Sequence, residues 1–290
     1  MAIALGQFSV TMKDKMDSSQ FLFFRGDPPK GLDYIDWIFS KDDIKEAKTL
    51  EKFKKDTENN SLQTYEALGD LLGMLYKLSV CGYGCHGGSH KIEYITGRTY
   101  NLAISSLKLL RLGHYDESLS LIRSISEIVN LLCLFRIDPK AYSEWTKCSQ
   151  KDRIQKFGPG KVRTRIAKIG PEPPVSQEYY SKLCETGVHV TPDTIPSGYN
   201  EHKLALVGGI VIEYAPTAIL NDLTNNVFWT ILIASSNILT KDEFMELTDK
   251  LKPYTEKIGE LTIVNLDDYV QKNKPSEKRT RKSNSHQQEL

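Results

Sequence analysis

The densest group of chemically reactive side chains lies in the ten-residue stretch CGYGCHGGSH, at residues 81–90. It holds two cysteines and two histidines, which are Cys81, Cys85, His86 and His90. Zinc binds thiolates and imidazoles in a tetrahedral arrangement, so these residue types suit a zinc site. Structural zinc sites usually take ligand pairs from two separated arms, whereas these four residues share one loop. Zinc is therefore one interpretation among three.

The same stretch also suits a reactive thiol or a plain turn. Cys85 lies just before a predicted helix, and helix N-termini generally activate thiols. A nucleophile needs a base, which His86, His90 or His189 would supply. In the third interpretation the glycines make a tight turn, and Cys81 and Cys85 pack as small apolar side chains. Because free cysteine is most often buried and inert, the sequence favours the turn and leaves the other two open.

A second group of polar side chains lies on an otherwise apolar helix, predicted over residues 115–136. At about 100° per residue, one face of this helix is apolar and the opposite face is polar. The polar face carries Ser120, Arg123, Ser126, Glu127 and Asn130. Small hydroxyls with one arginine and one glutamate are typical of a half-buried face, where the two charges must be paired. Arg123 and Glu127 are four residues apart and are predicted to pair along the helix.

The preceding helix carries Arg98 and Asn101, which would face the Arg123 stripe if the two helices form an antiparallel hairpin. In one interpretation this is a structural network that locks the hairpin. In the other, Arg98, Asn101 and Asn130 bind a ligand in a polar pocket that also receives a histidine from elsewhere. His189, in the loop GVHVTP, is the best candidate for that histidine, and His202 is the second.

Helices must position these groups, and the apolar spacing predicts them. From Ser61 to Val80, apolar residues recur every three or four positions, as in a helix with one buried face. A second helix, over 90–112, ends at Gly113, a typical helix C-cap, and the 115–136 helix begins directly after it. Connections this short imply antiparallel neighbours.

The predicted fold class is mainly α. We expect an antiparallel helical bundle that is built on the hairpins of residues 62–136. Two late helices, roughly 216–239 and 241–258, would close the bundle. The segment LALVGGIVIEY predicts one minor strand pair near 204–214.

The predicted domain organisation has three parts. A helical core domain covers residues 61–262, after an N-terminal extension over 1–60. A basic tail over 263–290 is low in apolar residues and is predicted to be disordered. Within the extension, mixed charges at helical spacing over residues 40–60 indicate a solvated surface helix.

Composition narrows the class of protein. The 290 residues are 40% hydrophobic and 26% charged, with a net charge of +1, which gives no global attraction to nucleic acid or membrane. Five cysteines, an odd number, indicate reduced thiols and a cytoplasmic protein. The N-terminus has no basic region ahead of a long apolar run, so we expect no signal peptide. The apolar segment 227–239 is too short to span a bilayer and is predicted to be a buried helix, with no membrane contact.

Three blocks, CGYGCHGGSHKIEYITGRTYN, GHYDESLSLIRSISEIVNLLCLF and YYSKLCETGVHVTP, resemble a family of uncharacterised bacterial, mainly helical proteins over roughly residues 75–240. An arginine-bearing helix followed by a helix that ends in a histidine is also similar to HEPN-type helical ribonucleases of toxin and defence systems. The compact Arg–His motif of those enzymes has no arginine here ahead of His189, where Lys182 is the nearest basic residue.

The second resemblance implies metal-independent RNA cleavage. Arg123 would bind phosphate through its planar donors, His189 would transfer protons near neutral pH, and Glu127 would orient one of them. The basic tail would add non-specific attraction to RNA. The alternatives are a non-enzymatic binding or interaction module with a structural Arg–Glu network, which holds a protein partner or small ligand, and a zinc-stabilised scaffold without other cofactors.

Overall fold

The computed structural model describes residues 30–85, 87, 89–170, 172–189, 208–212 and 215–257. In these ranges every regular element is an α-helix, which confirms the mainly-α prediction. The helices are α1 (Leu32–Phe39), α2 (Asp42–Lys55), α3 (Ser61–Ser79), α4 (Lys91–Arg111), α5 (Tyr115–Ile137), α6 (Pro139–Lys147), α7 (Gln150–Phe157), α8 (Pro159–Ile169), α9 (Gln177–Gly187), α10 (Ala215–Ile238) and α11 (Lys241–Lys257).

The successive helices α3, α4 and α5 pack side by side, as the sequence predicts for antiparallel hairpins. Near the turn between α4 and α5, the hydroxyl oxygens of Ser106 and Ser118 lie 2.8 Å apart. Each hydroxyl also donates to the backbone carbonyl of the other residue. Both serines are fully buried, so these bonds satisfy polar groups that water cannot reach.

Helix α10 lies at the centre of the bundle, against α3, α4 and α5. Residues 227–236 are all buried, which confirms the prediction of a buried helix for this segment. A helix that is apolar around its whole circumference must be surrounded by other elements. Ser126 donates to Asn226, and Asn237 donates to the carbonyl of Leu132, so α10 runs parallel to α5.

Helix α5 is, among the described helices, the one long and apolar enough to cross a membrane. Yet 61% of its most apolar stretch is buried inside the protein, against α4, α8, α9 and α10. A core helix that is packed on several sides needs the same apolar composition as a membrane span. Packing in the bundle therefore accounts for the composition of α5.

Helix α4 packs its large apolar residues on the core with different degrees of burial. Ile92, Ile95, Leu102 and Leu107 are partly buried against it, and Leu110 is fully buried. The residues that α4 buries completely are mostly small: Thr96, Thr99, Ala103, Ser106 and Leu110. The threonine hydroxyls donate to the carbonyls one turn earlier, which satisfies them inside the core.

Part of the predicted N-terminal extension joins the core. Helix α2 buries Lys45, Thr49 and Phe53, so one face of the expected surface helix is covered by the bundle. The Lys45 ammonium donates to the backbone carbonyl of Gly208, and burial lowers its pKa. Residues 42–55 therefore add to the core that was predicted to begin at residue 61.

The turn between α4 and α5 holds the segment 208–212 in place. Gly113 and Gly209 both have positive φ, and the Ile210 N–H donates to the Gly113 carbonyl at 3.2 Å. Left-handed glycines do not continue a strand, so residues 208–212 do not form the predicted strand. The rest of the predicted pair near 204–214 lies outside the described residues, as do His202 and the tail.

Candidate functional site

The predicted pairing of Arg123 with Glu127 is confirmed, and α9 adds to it. Arg123 Nη2 lies 2.8 Å from Glu127 Oε1 and donates to the Tyr180 hydroxyl at 2.5 Å. The Tyr180 hydroxyl donates in turn to Glu127 Oε1 at 2.6 Å. Arg123 Nε donates to Cys184 Sγ at 3.1 Å. Donors of Arg123 are thus occupied by α5 and α9.

Burial shapes the electrostatics of this Arg123 network. Tyr180 is 8% exposed, whereas the Arg123 and Glu127 side chains are 26% and 33% exposed. Burial raises the pKa of Tyr180, and the hydrogen bond to the Glu127 carboxylate raises it further. The tyrosine therefore stays protonated and donates to Glu127 at neutral pH. The network holds α9 against α5.

His189 follows the helix that carries Tyr180 and Cys184. Helix α9 runs antiparallel to α5, because Tyr180 contacts Glu127 whereas Gly187 accepts from Ser120. His189 follows the C-terminal end of α9 and is exposed. Its N–H donates to the carbonyl of Cys184 at 2.9 Å, and Cys184 Sγ accepts from Arg123 Nε. The backbone of His189 is thus bound to a residue of the Arg123 network.

Arg98 and Asn101 lie elsewhere on the bundle. Both are exposed on α4 and line a groove that includes Glu93, Tyr94 and Leu121. Leu121 is two residues from Arg123, about 200° around α5, so the groove faces away from the Arg123 network. The expectation that Arg98 and Asn101 face Arg123 is therefore wrong, because they share this groove with Leu121 instead.

Asn130 is bound to the backbone of the segment before α9. Its Nδ2 donates to the carbonyl of Val175 at 2.9 Å, and the Val175 N–H donates to its Oδ1 at 3.0 Å. Asn130 is 2% exposed and Val175 is 3% exposed. The Asn130 side chain thus bonds the buried Val175 backbone through both its N–H donor and its carbonyl oxygen. These two bonds fix the segment 172–176 to α5.

That segment forms one wall of a cavity of about 780 Å³ between α8, α9 and α10. Its lining is mixed: Trp229, Pro173 and Pro174 supply apolar surface. The charged side chains are Arg163, Glu172, Glu178, Lys182 and Asp222. Cavities of roughly 300–1,000 Å³ with a few polar groups on apolar walls are typical of small-molecule sites.

Two residues that line this cavity each hold a buried side-chain atom without a hydrogen-bond partner among the described residues: Arg163 Nη1 and Asn225 Oδ1. The other guanidinium nitrogens of Arg163, Nε and Nη2, both donate to Gln177 Oε1, at 3.1 and 2.5 Å. The guanidinium lies 4.3 Å from the centroid of the Tyr180 ring. Arg163 is 7% exposed, and burial lowers its pKa. These contacts fix the position of the Arg163 guanidinium, and Nη1 is the nitrogen left without an acceptor among the described residues.

An acidic group lies on the α10 side of the same cavity. The Tyr179 hydroxyl donates to Asp222 Oδ1 at 3.0 Å and accepts from Asn226 Nδ2 at 3.1 Å. Burial raises the pKa of Asp222, and the hydrogen bond from Tyr179 opposes that rise. Burial also raises the pKa of Tyr179. The cavity thus holds a fixed cation on α8 and a carboxyl on α10.

The loop that opens the sequence analysis brings three of its four candidate ligands together. Ligand atoms of Cys81, Cys85 and His90 all lie within 4.8 Å of one another. Cys81 Sγ is 3.5 Å from His90 Nδ1, and Cys85 Sγ is 3.8 Å from His90 Nε2. Glu93 Oε1 lies 3.4 Å from His90 Nδ1. His86, the fourth predicted ligand, lies outside the described residues.

Comparison with protein-family models, curated proteins and solved structures finds no match to this chain. The two resemblances therefore stay predictions, and the function must be argued from the sites themselves.

The sequence analysis missed Arg163, Asn225 and Asp222. Residues 157–175 are rich in proline and glycine around a short basic segment, and they contain α8. A signal was present: Pro159 occupies the first turn, and Val162 and Ile166 form a buried i, i+4 pair beside Arg163.

Proposed function

We propose that this chain is a non-enzymatic binding module whose α8–α10 cavity holds a small zwitterionic molecule. The proposal depends on Arg163 and Asn225, two residues that line one cavity and that each hold a buried polar atom without a partner among the described residues, Nη1 and Oδ1. A buried polar group without a hydrogen bond costs about 1–3 kcal/mol. A ligand that satisfies both atoms recovers that free energy, so the cavity favours occupation by a molecule of matching polarity.

The polarity of the two atoms defines the ligand class. Arg163 offers a positively charged N–H donor, which suits a carboxylate or phosphate oxygen. Asn225 offers a carbonyl oxygen, which needs an N–H or O–H donor. Asp222 adds acidic character that favours an ammonium group. An acid oxygen and an amine on one small scaffold meet all three requirements, and a free amino acid is the smallest such molecule.

The geometry supports binding better than RNA cleavage. Two guanidinium nitrogens of Arg123, Nε and Nη2, contact Glu127, Tyr180 and Cys184, so the donors on these two atoms are not directed at a phosphate. An assay with single-stranded and structured RNA would support the ribonuclease prediction if the wild type cleaved RNA and cleavage were lost in Arg123→Ala and in His189→Ala.

The test is a thermal-shift screen of the whole chain with the twenty free amino acids and their phosphorylated forms. At about ten times its dissociation constant, a ligand adds ~1.4 kcal/mol of stability, which raises Tm by roughly 2–6 °C in a protein of this size. We expect the shift to be lost in Arg163→Gln and to be reduced in Asn225→Ala.

The matched control is Arg165→Gln on the same helix. The Arg165 guanidinium pairs with Asp138 and Glu144, and Arg165 does not line the cavity. This variant should keep the ligand shift of the wild type. If no compound raises Tm, or if Arg163→Gln responds as Arg165→Gln does, the cavity is not a zwitterion site.

A further inference from the structure

We propose that the loop between α3 and α4 binds a zinc ion through Cys81, Cys85 and His90, with Glu93 as the hydrogen-bond acceptor that orients the histidine. The α8–α10 cavity is lined by other helices, so the zinc proposal does not depend on the proposed zwitterionic ligand. Two thiolates and one imidazole are a recognised zinc ligand set, which leaves one coordination position for water or a further ligand.

The distances between the ligand atoms fit one metal ion. With Zn–S about 2.3 Å and Zn–N about 2.0–2.1 Å, the sulfur–nitrogen edge of a tetrahedral site is about 3.5 Å. The separation of Cys85 Sγ from His90 Nε2 is 3.8 Å, and the ligand atoms of the three residues all lie within 4.8 Å of one another. The three residues are half-buried, so zinc can reach them while bulk water is partly excluded.

Glu93 defines how the imidazole is used. Its Oε1 lies 3.4 Å from His90 Nδ1, and its side chain is only 14% exposed. A histidine that binds zinc commonly donates its other ring N–H to a carboxylate, which fixes the tautomer and the ring orientation. We therefore assign the proton to His90 Nδ1, which donates it to the Glu93 carboxylate, and we assign metal binding to His90 Nε2. Glu93 is a hydrogen-bond partner of His90, whereas the sequence had predicted His86 as a fourth metal ligand.

The backbone of the loop supports a functional reason for this cluster. Among the described residues, the non-glycine residues with positive φ are Asn60, Cys81 and His90. A left-handed conformation costs such residues roughly 1–2 kcal/mol. Two of the three proposed ligands are thus held in unfavourable backbone conformations, and such conformations cluster at functional sites.

Surrounding contacts hold the loop in this shape. Gly82 N–H donates to the Lys77 carbonyl at 2.7 Å, and Gly84 N–H donates to the Cys81 carbonyl at 2.9 Å. The Ser89 and Tyr142 hydroxyl oxygens lie 3.3 Å apart, which ties the end of the loop to α6. The ligands are therefore positioned by the fold before any metal binds, which reduces the cost of ordering them.

The experiment is zinc uptake by the full chain. Protein that has been reduced and stripped with a chelator is titrated with zinc in competition with a chromophoric chelator. We expect about one equivalent per chain, as for a single site. Cys81→Ser/Cys85→Ser should bind none, and Glu93→Gln should bind roughly 10–100-fold more weakly. Cys148→Ser, at a half-buried cysteine outside the loop, is the matched control and should bind as the wild type does.

A second measurement keeps the test decisive if the double variant fails to fold. In wild-type protein, zinc should protect Cys81 and Cys85 from iodoacetamide, and peptide mass spectrometry should show Cys148 reacting at an unchanged rate. A structural zinc site binds tightly, so uptake below about a tenth of an equivalent overturns the proposal. Equal uptake by the wild type and the double variant overturns it as well.

Discussion

Replacement of Asn130 by alanine tests whether the wall of the cavity is fixed to α5 as described. Asn130 makes two hydrogen bonds to the backbone of Val175, and both residues are at least 97% buried. In Asn130→Ala, the buried N–H and C=O of Val175 lose their partners. At about 1–3 kcal/mol for each of the two unsatisfied groups, the free energy of unfolding should fall by roughly 2–6 kcal/mol. That is a large share of the ~5–15 kcal/mol typical of a folded protein.

The assay is urea denaturation followed by circular dichroism, with the free energy of unfolding taken by linear extrapolation. The matched control is Asn101→Ala, because Asn101 is also a helical asparagine but is exposed on α4. Both variants gain the same helix propensity, so their difference isolates the buried bonds. Asn101→Ala should stay within about 0.5 kcal/mol of the wild type. A loss below about 1 kcal/mol in Asn130→Ala would refute the reasoning.

Three further predictions concern buried groups elsewhere in the bundle. Burial raises the pKa of Asp222 above its ordinary 3.8. The contribution of the protonated carboxyl to stability is therefore complete below about pH 3.8, and it is lost as the pH rises through the raised pKa. Asp222→Asn should therefore raise Tm at neutral pH and flatten its pH dependence in thermal melts; an unchanged or lower Tm contradicts this. A Cβ on Gly113 would lie 2.5 Å from the backbone of Ile210, and φ is +78°. Gly113→Ala should cost about 2 kcal/mol or more in urea melts, whereas Gly69→Ala, in open space on α3, should be neutral or stabilising; equal effects count against the proposed turn. Burial raises the pKa of Cys133 to about 12, so iodoacetamide should label Cys133 only after unfolding, and labelling in the native protein would show the core to be open.

The sequence predicted the helices well where packing follows periodicity. The spacing of leucines over 61–80 and the apolar run over 227–239 describe surfaces that must be buried whatever their neighbours are. The Arg123–Glu127 pair was predictable for a similar reason, because residues four apart on a helix are always neighbours. These predictions needed only the geometry of a single helix.

The candidate site was less predictable because it depends on contacts between helices. Arg98 and Asn101 lie one and two residues away from Thr99, and sequence spacing does not reveal that the threonine is buried in the bundle while the two larger polar side chains are exposed. The position of His189 relative to Arg123 depends on how α9 packs on α5, which is set by tertiary contacts. Arg163 and Asn225 are distant in sequence and meet at one cavity only in the fold.

The most direct test of the central claim is calorimetric titration of the wild type, Arg163→Gln and Arg165→Gln with the amino acid that gives the largest thermal shift. A hydrogen bond to a charged group contributes about 1.5–3 kcal/mol, which corresponds to a loss of roughly tenfold to hundredfold in affinity when it is removed. Our account predicts that loss in Arg163→Gln and wild-type affinity in Arg165→Gln. Equal affinities in all three proteins would contradict it.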